Sequence, residues 1–188
     1  MKLTTTTRIS VDGVMQEDDM PGWSMVHSDD ESRAFMEQTY QRADAYLFGR
    51  RTYDIFAEYW SAMDPASSLF AGALNTKRKY VASNTLTDPQ WADTSVLSGD
   101  LAAAVGELKA KPEGELQVHG SGALTRWLLA NELVDEMNIL IVPVVVGRGA
   151  RLFPDSGPDI ALQLVESRVF PKGITLQVYR PAGRAQYA

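Results

Sequence analysis

The sequence predicts an α/β protein in which helices cover both faces of one mostly parallel sheet, and an antiparallel hairpin ends the chain. Two observations carry this prediction. Short apolar strands alternate with amphipathic helices, a pattern typical of a three-layer α/β/α arrangement. Near the C-terminus the alternation stops, because two strand-like segments, 162–169 and 174–179, flank the turn Pro171-Lys172-Gly173 and indicate a hairpin.

The first strand and the first helix come from the N-terminal part of the chain. Residues 3–10 are rich in β-branched side chains and end at the turn signal Asp12-Gly13. Ser28 and Glu31 have the spacing of a capping box, which marks a helix start. Apolar residues then recur on one helical face, so we expect a helix over residues 29–42.

Three strand–turn–helix units follow. In the first, strand 45–48 ends at Gly49, and Thr52 is placed to cap a helix that carries Phe56 and either Tyr59 or Trp60 on one face. The other predicted strands lie at 79–83, 94–97, 115–119 and 137–142, and the other predicted helices lie at 100–109 and 123–130.

Composition and charge exclude several classes of protein. The chain has 188 residues, of which 45% are apolar, so we expect a single domain over residues 1–188. Its formal net charge of −6 argues against a general nucleic-acid or anionic-membrane surface. The absence of cysteine excludes a disulfide framework, a thiolate nucleophile and a Cys-based zinc site. Because the N-terminus also lacks the apolar core of a signal peptide, we expect a cytoplasmic protein.

Two turns are candidates for binding anions. In an open α/β sheet, ligands bind beyond the carboxyl ends of the strands, where helices point their N-termini. At Gly49-Arg50-Arg51-Thr52, a glycine lets the backbone approach a phosphate, and the arginines and the threonine hydroxyl supply donors. At Gly120-Ser121-Gly122, small residues leave room for a pyrophosphate against the next helix. Two such turns on one sheet edge suggest a dinucleotide.

Each turn also has a purely structural interpretation. Gly49 serves equally well as an ordinary turn glycine beside two solvated arginines. The second turn lacks the third glycine of the Rossmann fingerprint, and Thr125 stands in its place. The shared context, a short apolar strand before each turn and a helix after it, favours the binding hypothesis.

Other known motifs for catalysis or metal binding are absent from the sequence, and the roles of Asp12 and Trp23 stay open. The chain has no Walker lysine motif and no nucleophile elbow, and its two histidines, His27 and His119, are too few for a His-rich metal site. No metal site is therefore predicted, and His119 is interpreted as a structural residue. Asp12 is either an acid on a flexible loop or part of a tight Asp-Gly turn. Trp23 either lines a pocket or anchors its loop.

Six short motifs follow one another along nearly the whole chain, and in this order they resemble the RibD C-terminal domain family, which has the dihydrofolate-reductase-like fold. The motifs are Ile9-Ser10-Val11-Asp12-Gly13, Leu47-Phe48-Gly49-Arg50-Arg51-Thr52-Tyr53, Val118-His119-Gly120-Ser121-Gly122-Ala123-Leu124, Leu133-Val134-Asp135-Glu136, Pro143-Val144-Val145-Val146-Gly147-Arg148-Gly149 and Leu152-Phe153.

The resemblance implies a mixed eight-stranded sheet with helices on both faces, NADPH bound across the sheet edge, and a homodimer. By this resemblance, the turn at 49–52 holds the adenosine side of NADPH, with an arginine on the 2′-phosphate. Ser83 and Asn84 match a polar turn beside the adenine ribose, and the turn at 120–122 takes the pyrophosphate.

The same resemblance places the reaction beside the first strand. The loop at Val11, Asp12 and Gly13 borders the nicotinamide and the substrate, with Trp23 as a further substrate contact. The implied reaction is hydride transfer to a C=N or C=O carbon, as in the reduction of a ribosylaminopyrimidine riboflavin precursor or of a pterin. Asp12 is the predicted proton donor.

Two departures from the family's pattern leave the substrate open. Dihydrofolate reductases carry a carboxylate on the helix after the loop tryptophan, whereas the inward positions expected here are Met36 and Tyr40. Bifunctional riboflavin enzymes carry a deaminase domain before the reductase, whereas this sequence begins at the predicted first strand of the reductase. We therefore expect a stand-alone reductase-like protein. The alternatives are a non-catalytic dinucleotide-binding or oligomeric module of the same fold and a true dihydrofolate reductase.

Overall fold

The computed structural model describes residues 1–16, 22–157 and 159–187. Its strands are β1 (Lys2–Ser10), β2 (Val14–Gln16), β3 (Ala45–Gly49), β4 (Arg78–Ala82), β5 (Thr94–Leu97), β6 (Glu115–His119), β7 (Glu136–Val142), β8 (Ala150–Arg151), β9 (Leu162–Val169) and β10 (Thr175–Pro181). Its helices are α1 (Asp30–Arg42), α2 (Arg50–Trp60), α3 (Leu69–Thr76), α4 (Leu101–Lys109) and α5 (Gly122–Ala130), with short 3-10 turns at Trp23–Met25 and Pro65–Ser67.

Eight strands form one mixed sheet in the order β5-β4-β3-β6-β1-β7-β10-β9. The first six of these run parallel, and β10 is antiparallel to both of its neighbours. The remaining described strands, β2 and β8, pair as a small antiparallel ribbon. The predicted mostly parallel sheet and its C-terminal antiparallel hairpin are confirmed.

Helices pack on both faces of the sheet. Along β3, Leu47 joins a core cluster with residues of α4 and α5, whereas the next residue, Phe48, joins a second cluster with α1 and α3. Successive strand residues point to opposite faces, so these clusters are two different layers. A third cluster packs Trp23 and the inner face of α1 against β7 and β10. No described helix has the length and apolar character needed to cross a bilayer.

The start of α1 differs from the predicted capping box. Asp29 is the N-cap. Its Oδ1 accepts a hydrogen bond from the Ser32 N–H at 2.8 Å, and the Ser32 hydroxyl oxygen accepts one from the Asp29 N–H at 3.0 Å. The Ser28 hydroxyl instead accepts a hydrogen bond from Arg8 on β1 at 2.8 Å. The Ser28 side chain, which the sequence pattern assigned to the cap, therefore makes a tertiary contact instead.

Helix α2 also begins earlier than predicted. Gly49 is its N-cap and Arg50 its first residue, so Arg50 and Arg51 lie in the first turn of the helix rather than in a loop before it. Thr52 is consequently inside the helix and does not cap it. Two described features were not predicted: helix α3, and the β2–β8 ribbon.

Candidate functional site

The two candidate anion-binding turns lie side by side at the carboxyl edge of the sheet. Strands β3 and β6 pair only at Ala45 and Tyr46 and then diverge. Beyond that point a side chain joins them, because the Gly49 N–H donates to the Ser121 hydroxyl oxygen at 3.1 Å. The predicted proximity of the two turns is present in the structure.

The turn between β6 and α5 is shaped for close approach. Gly120 has φ of +59° and Ser121 has φ of +49°, so two consecutive residues adopt the left-handed conformation. Ser121 is the N-cap of α5 but gives the helix no side-chain cap, because its hydroxyl is turned toward Gly49. The first-turn N–H groups of α5 therefore receive no side-chain acceptor from the N-cap. Such a helix end attracts anions.

Met15 lies over the same helix end. A Cβ built on Gly122 would overlap the Met15 sulfur, so a larger residue at this position would require the flexible Met15 side chain to move. Met15 belongs to β2, which pairs with β8 in the small antiparallel ribbon. A ligand phosphate at the α5 N-terminus would therefore be in reach of a flexible thioether side chain.

The predicted phosphate-binding residues of α2 sit beside this turn. The Thr52 methyl lies 3.9 Å from the position of a Cβ on Gly120. Arg50 Nε donates to both carboxylate oxygens of Asp54, at 2.9 and 2.8 Å, on the exposed side of the helix. Arg51 shares the same first turn.

Ser83 and Asn84 follow β4 at the same edge. The Ser83 hydroxyl accepts from the N–H groups of Thr85 and Leu86, at 3.2 and 3.1 Å. The side-chain oxygen Oδ1 of Asn84 accepts from the Gly99 N–H at 3.0 Å and so ties the turn after β4 to the turn after β5. Both side chains shape this polar turn.

A cavity of about 680 Å³ opens next to these turns. One wall is a helical stripe of α1, at the spacing i, i+3, i+4, i+7, formed by Arg33, Met36, Glu37 and Tyr40. The facing wall is aromatic and comes from α2 and α3, with Phe56, Tyr59, Trp60 and Phe70. The floor is the end of β1 together with His119 and Gly120.

His119 is a neutral imidazole at this floor. It is 2% exposed, and burial lowers its pKa to about 3. Its Nε2 lies 2.8 Å from the side-chain oxygen Oε1 of Gln117, and the side-chain Nε2 of Gln117 donates to the Thr39 backbone carbonyl at 2.7 Å. The amide oxygen can only accept, so Nε2 carries the proton. The ring also stacks on Tyr40 with centroids 3.9 Å apart, and burial raises the pKa of the Tyr40 hydroxyl.

The backbone of β1 has an open edge at the cavity. Pairing with β6 ends at Thr6 and His119, whereas pairing with β7 continues to Ser10. The Gly120 N–H donates to the Thr6 carbonyl at 3.2 Å, which shows that the Thr6 carbonyl points toward β6. Backbone groups two residues apart on a strand point to the same edge. The N–H and C=O of Arg8 therefore face the opening rather than a neighbouring strand.

Asp12, the predicted proton donor, is held in a set of hydrogen bonds. Its carboxylate accepts from the Ser10 hydroxyl at 2.7 Å and from the N–H groups of Val146 and Gly147, at 3.0 and 2.8 Å. These contacts, the Ser10 hydroxyl first and the Val146 N–H next, lower the pKa of Asp12 to about 2. A carboxylate with this pKa carries no proton near neutral pH. The geometry favours a role in fastening the loop after β7 to the end of β1.

The other residues predicted to border the substrate differ in placement. Trp23 is 7% exposed and packs in the third core cluster, while its neighbours Ser24 and Met25 line the cavity. This placement favours the loop-anchor interpretation of Trp23. Val11 is exposed and pairs through its N–H with the Val144 carbonyl, and Gly13 turns the chain with φ of +80°. Both lie at the rim of the sheet edge.

Several cavity residues were missed in the sequence. The expected inward residues of α1 were Met36 and Tyr40, which do line the cavity, but Glu37 and Arg33 line it as well. The i, i+3, i+4, i+7 spacing of these four residues was a usable signal. Arg8 and Phe70 gave no such signal, because their positions depend on how β1 and α3 pack.

The fold defines the class of protein: an α/β protein with the dihydrofolate-reductase-like fold. The model of the RibD C-terminal domain family matches residues 1–176, and the chain belongs to that family. Family membership makes it a reductase-like protein of the riboflavin-biosynthesis type.

Two Bacillus subtilis (strain 168) proteins described as uncharacterized are similar in sequence. YyaP is 30% identical over 138 residues, which cover 72% of this chain and 73% of YyaP. YwjB is 22% identical over 173 residues, which cover 92% and 94% of the two chains.

Solved structures show the same fold. A Shewanella sp. PV-4 protein provisionally assigned to riboflavin biosynthesis is 25% identical, with a TM-score of 0.75 and coverage of 97% of this chain and 99% of that one. A pyrimidine reductase-like protein from Corynebacterium diphtheriae is 16% identical, with a TM-score of 0.67 and coverage of 96% and 92%.

Proposed function

We propose that the protein is an NADPH-dependent reductase that transfers a hydride to a C=N or C=O carbon of a small heterocyclic molecule. The substrate is of the riboflavin-precursor or pterin type. The observation that carries this proposal is the contact between the two anion-binding turns, through Gly49 and Ser121, directly beside a cavity with aromatic walls. A dinucleotide needs such separated phosphate sites, and its acceptor needs the cavity.

The open edge of β1 fits a nicotinamide. A primary carboxamide presents one carbonyl acceptor and two N–H donors, and Arg8 presents the complementary backbone N–H and C=O. Bound NADPH supplies a hydride from its nicotinamide ring. The residues of β1 would hold the ring so that the donor and acceptor carbons are about 3 to 3.5 Å apart.

The remaining groups of the cofactor have fitting partners along the sheet edge. The turn at 120–122 and the uncapped N-terminus of α5 would take the pyrophosphate. The first turn of α2, with Arg50, Arg51 and Thr52, would take the 2′-phosphate. Ser83 and Asn84 would border the adenine ribose from the turn after β4.

The proton that completes the reduction needs a source in the cavity. Glu37 lines the cavity from α1, and Tyr40 keeps its proton because burial raises its pKa. We propose Glu37, or water held by it, as the donor in place of Asp12, because the raised pKa of Tyr40 opposes loss of its proton. Asp12→Asn should then leave the pH dependence of turnover unchanged, as measured by kcat from pH 5 to 9. If wild-type kcat falls toward high pH and Asp12→Asn removes that fall, Asp12 would be restored as the acid.

NADPH binding is tested by titrating the protein with NADPH and with NADH and following cofactor fluorescence. NADPH should bind more tightly than NADH. Arg51→Ala and Arg50→Ala should each weaken NADPH binding about 10-fold or more, since a charge-assisted hydrogen bond contributes about 1.5 to 3 kcal/mol. NADH binding should change less than about twofold. Arg184→Ala, on the exposed C-terminal segment, is the matched control. Full NADPH selectivity in both variants would remove the 2′-phosphate assignment.

One observation favours a second candidate, a true dihydrofolate reductase. The carboxylate of Glu37 lines the cavity from the helix that follows the loop tryptophan, and the resemblance associates that helix with the pterin-binding carboxylate. Turnover of dihydrofolate with NADPH, abolished in Glu37→Gln and blocked by an antifolate, would establish this activity. An absence of turnover with dihydrofolate would leave the pyrimidine acceptor.

A further inference from the structure

Thr7 on β1 carries a buried hydroxyl that has no hydrogen-bond partner in the part of the chain that the structure describes. The residue is 5% exposed, and its Oγ1 is fully buried. Other hydroxyls of the same strand do have partners: Thr6 accepts from the Asn138 side chain at 3.1 Å, and Ser10 donates to Asp12 at 2.7 Å. A buried hydroxyl without a hydrogen bond costs free energy, so its presence in a native protein calls for an explanation.

The Thr7 side chain lies on the face of the sheet that α5 covers. Leu3 belongs to the core cluster formed with α4 and α5, and Ile9 packs against the same cluster. Side chains two residues apart on a strand share a face, so Thr7 points to this side as well. Met15, which lies over Gly122, also packs against this cluster. Because Thr7 lines the cavity too, its hydroxyl stands where the α5 side opens into the cavity, beside the point at which β1 and β6 separate.

The hydroxyl is also next to the open backbone of β1. Thr7 directly precedes Arg8, whose N–H and C=O face the opening rather than a neighbouring strand. Covalent geometry keeps a threonine hydroxyl within a few ångströms of the next backbone nitrogen. A ligand oxygen that accepts from the Arg8 N–H is therefore within reach of the Thr7 hydroxyl. A carboxamide oxygen has two lone pairs, so it can accept from both donors at once.

We propose that Thr7 is a cofactor-binding residue whose hydroxyl donates to the carboxamide oxygen of the nicotinamide, together with the Arg8 N–H. This inference rests on the proposed NADPH-dependent function and adds a side chain that orients the nicotinamide ring. The two donors approach from different directions, Arg8 from the strand edge and Thr7 from the α5 face, so they fix the twist of the carboxamide. The hydroxyl destabilises the cofactor-free protein and gains its hydrogen bond when the cofactor binds, as is typical of residues kept for function.

Thr7→Val tests the hydrogen bond, because valine has nearly the same shape as threonine and lacks the hydroxyl. Fluorescence titration should show NADPH binding weakened about fivefold or more. Thr7→Ser keeps the hydroxyl and should change the affinity less than about twofold. Calorimetric titration with 2′-phospho-ADP-ribose, which is the same dinucleotide without its nicotinamide ring, should give equal affinities for the wild type and Thr7→Val.

Urea unfolding without cofactor is the second measurement. Thr7→Val should unfold at the same urea concentration as the wild type or a higher one, because it removes a buried hydroxyl that lacks a partner. Thr94→Val is the matched control. Thr94, at the amino end of β5, also has a buried Oγ1 without a partner among the described residues, so this variant should behave alike in urea and bind NADPH unchanged.

Three results would each overturn the inference. Thr7→Val could bind NADPH as tightly as the wild type, or lose affinity for 2′-phospho-ADP-ribose to the same extent as for NADPH, which would move the contact away from the nicotinamide. It could also unfold at a lower urea concentration than the wild type, which would mean that the hydroxyl serves the fold. Failure of the wild type to bind NADPH would instead overturn the proposed function.

Discussion

At the scale of single residues, His119 makes stability depend on pH. Its pKa is about 3 in the folded protein against 6.5 in the unfolded chain, so the unfolded chain binds the proton between these values. The stabilisation from the neutral ring is complete above pH 6.5 and is lost as the pH falls toward 3. The slope is about 1.4 kcal/mol per pH unit inside this window.

Urea unfolding at pH 7.5 and pH 5.0 measures this effect. The wild type should lose about 2 kcal/mol more than His119→Gln between the two pH values. His27→Gln, which changes the other histidine of the chain, should lose as much as the wild type. Equal losses in all three proteins would show that His119 is not held neutral.

Arg50 is a second single residue with a testable role, because Asp54 competes with the proposed 2′-phosphate for its side chain. Asp54 holds its Nε with both oxygens, and both side chains are about half exposed, so the ion pair contributes about 0.2 to 1 kcal/mol. Asp54→Asn releases the arginine and removes a negative charge near the proposed 2′-phosphate site. NADPH should then bind about two- to fivefold more tightly, with NADH unchanged.

Fluorescence titration of both cofactors measures the change. Glu58→Gln, an equally conservative replacement one turn further along α2, is the control and should leave the ratio of the two affinities unchanged. Weaker NADPH binding in Asp54→Asn would mean that Asp54 positions Arg50 for the phosphate instead of competing with it.

At the scale of elements, the N-cap of α1 fastens a helix to the C-terminal hairpin. One carboxylate oxygen of Asp29 accepts from the Ser32 N–H, and the other accepts from the Lys172 N–H in the turn between β9 and β10. These bonds lower the pKa of Asp29. Asp29→Ala should cost about 1 to 2 kcal/mol of unfolding free energy, since a lost cap alone costs about 1.

Chemical denaturation at pH 7 measures this loss. Asp30→Ala is the matched control, because Asp30 supplies a charge to the first turn but no cap, and it should cost only a few tenths of a kcal/mol. Equal losses in the two variants would mean that first-turn charge, rather than the cap, stabilises the start of α1.

Helix α1 shows which structural features the sequence predicts and which it does not. Its span was predicted to within one residue, because apolar periodicity and an acidic first turn are local signals. The capping residue was wrong, because Arg8 on β1 takes the Ser28 hydroxyl and no local pattern contains that contact. Helix α3 was missed because its run of eight residues is short and nearly all apolar, without clear periodicity.

The candidate site was likewise predicted only in part. The turns after β3 and β6 were predicted because glycines follow short apolar strands, and the structure brings them together. The cavity was not predicted, because its walls combine residues far apart in the chain, such as Arg8, Glu37 and Trp60. Their convergence depends on packing between α1, α2 and β1, which periodicity does not report.

At the scale of the whole molecule, the sheet has two ends of different character. The end at β5 is a strand of four residues, whereas β9, at the other end, is eight residues long and exposed throughout. Long open edges are templates for further pairing, and proteins usually shorten, charge or cover them. The predicted homodimer would cover the exposed edge of β9.

A symmetric dimer fits the sequence of β9. If two copies pair antiparallel with Ser167 on the two-fold axis, Glu166 of each chain faces Arg168 of the other, which gives two ion pairs from one self-complementary strand. Light scattering should then give a mass of about twice 20.7 kDa. Val169→Lys should shift the protein toward the monomer, because an edge lysine opposes pairing. Val145→Lys is the matched control, since Val145 is 70% exposed and Val169 is 68% exposed, and the dimer should survive it. A monomeric wild type, or a dimer that Val169→Lys leaves intact, would exclude pairing through β9.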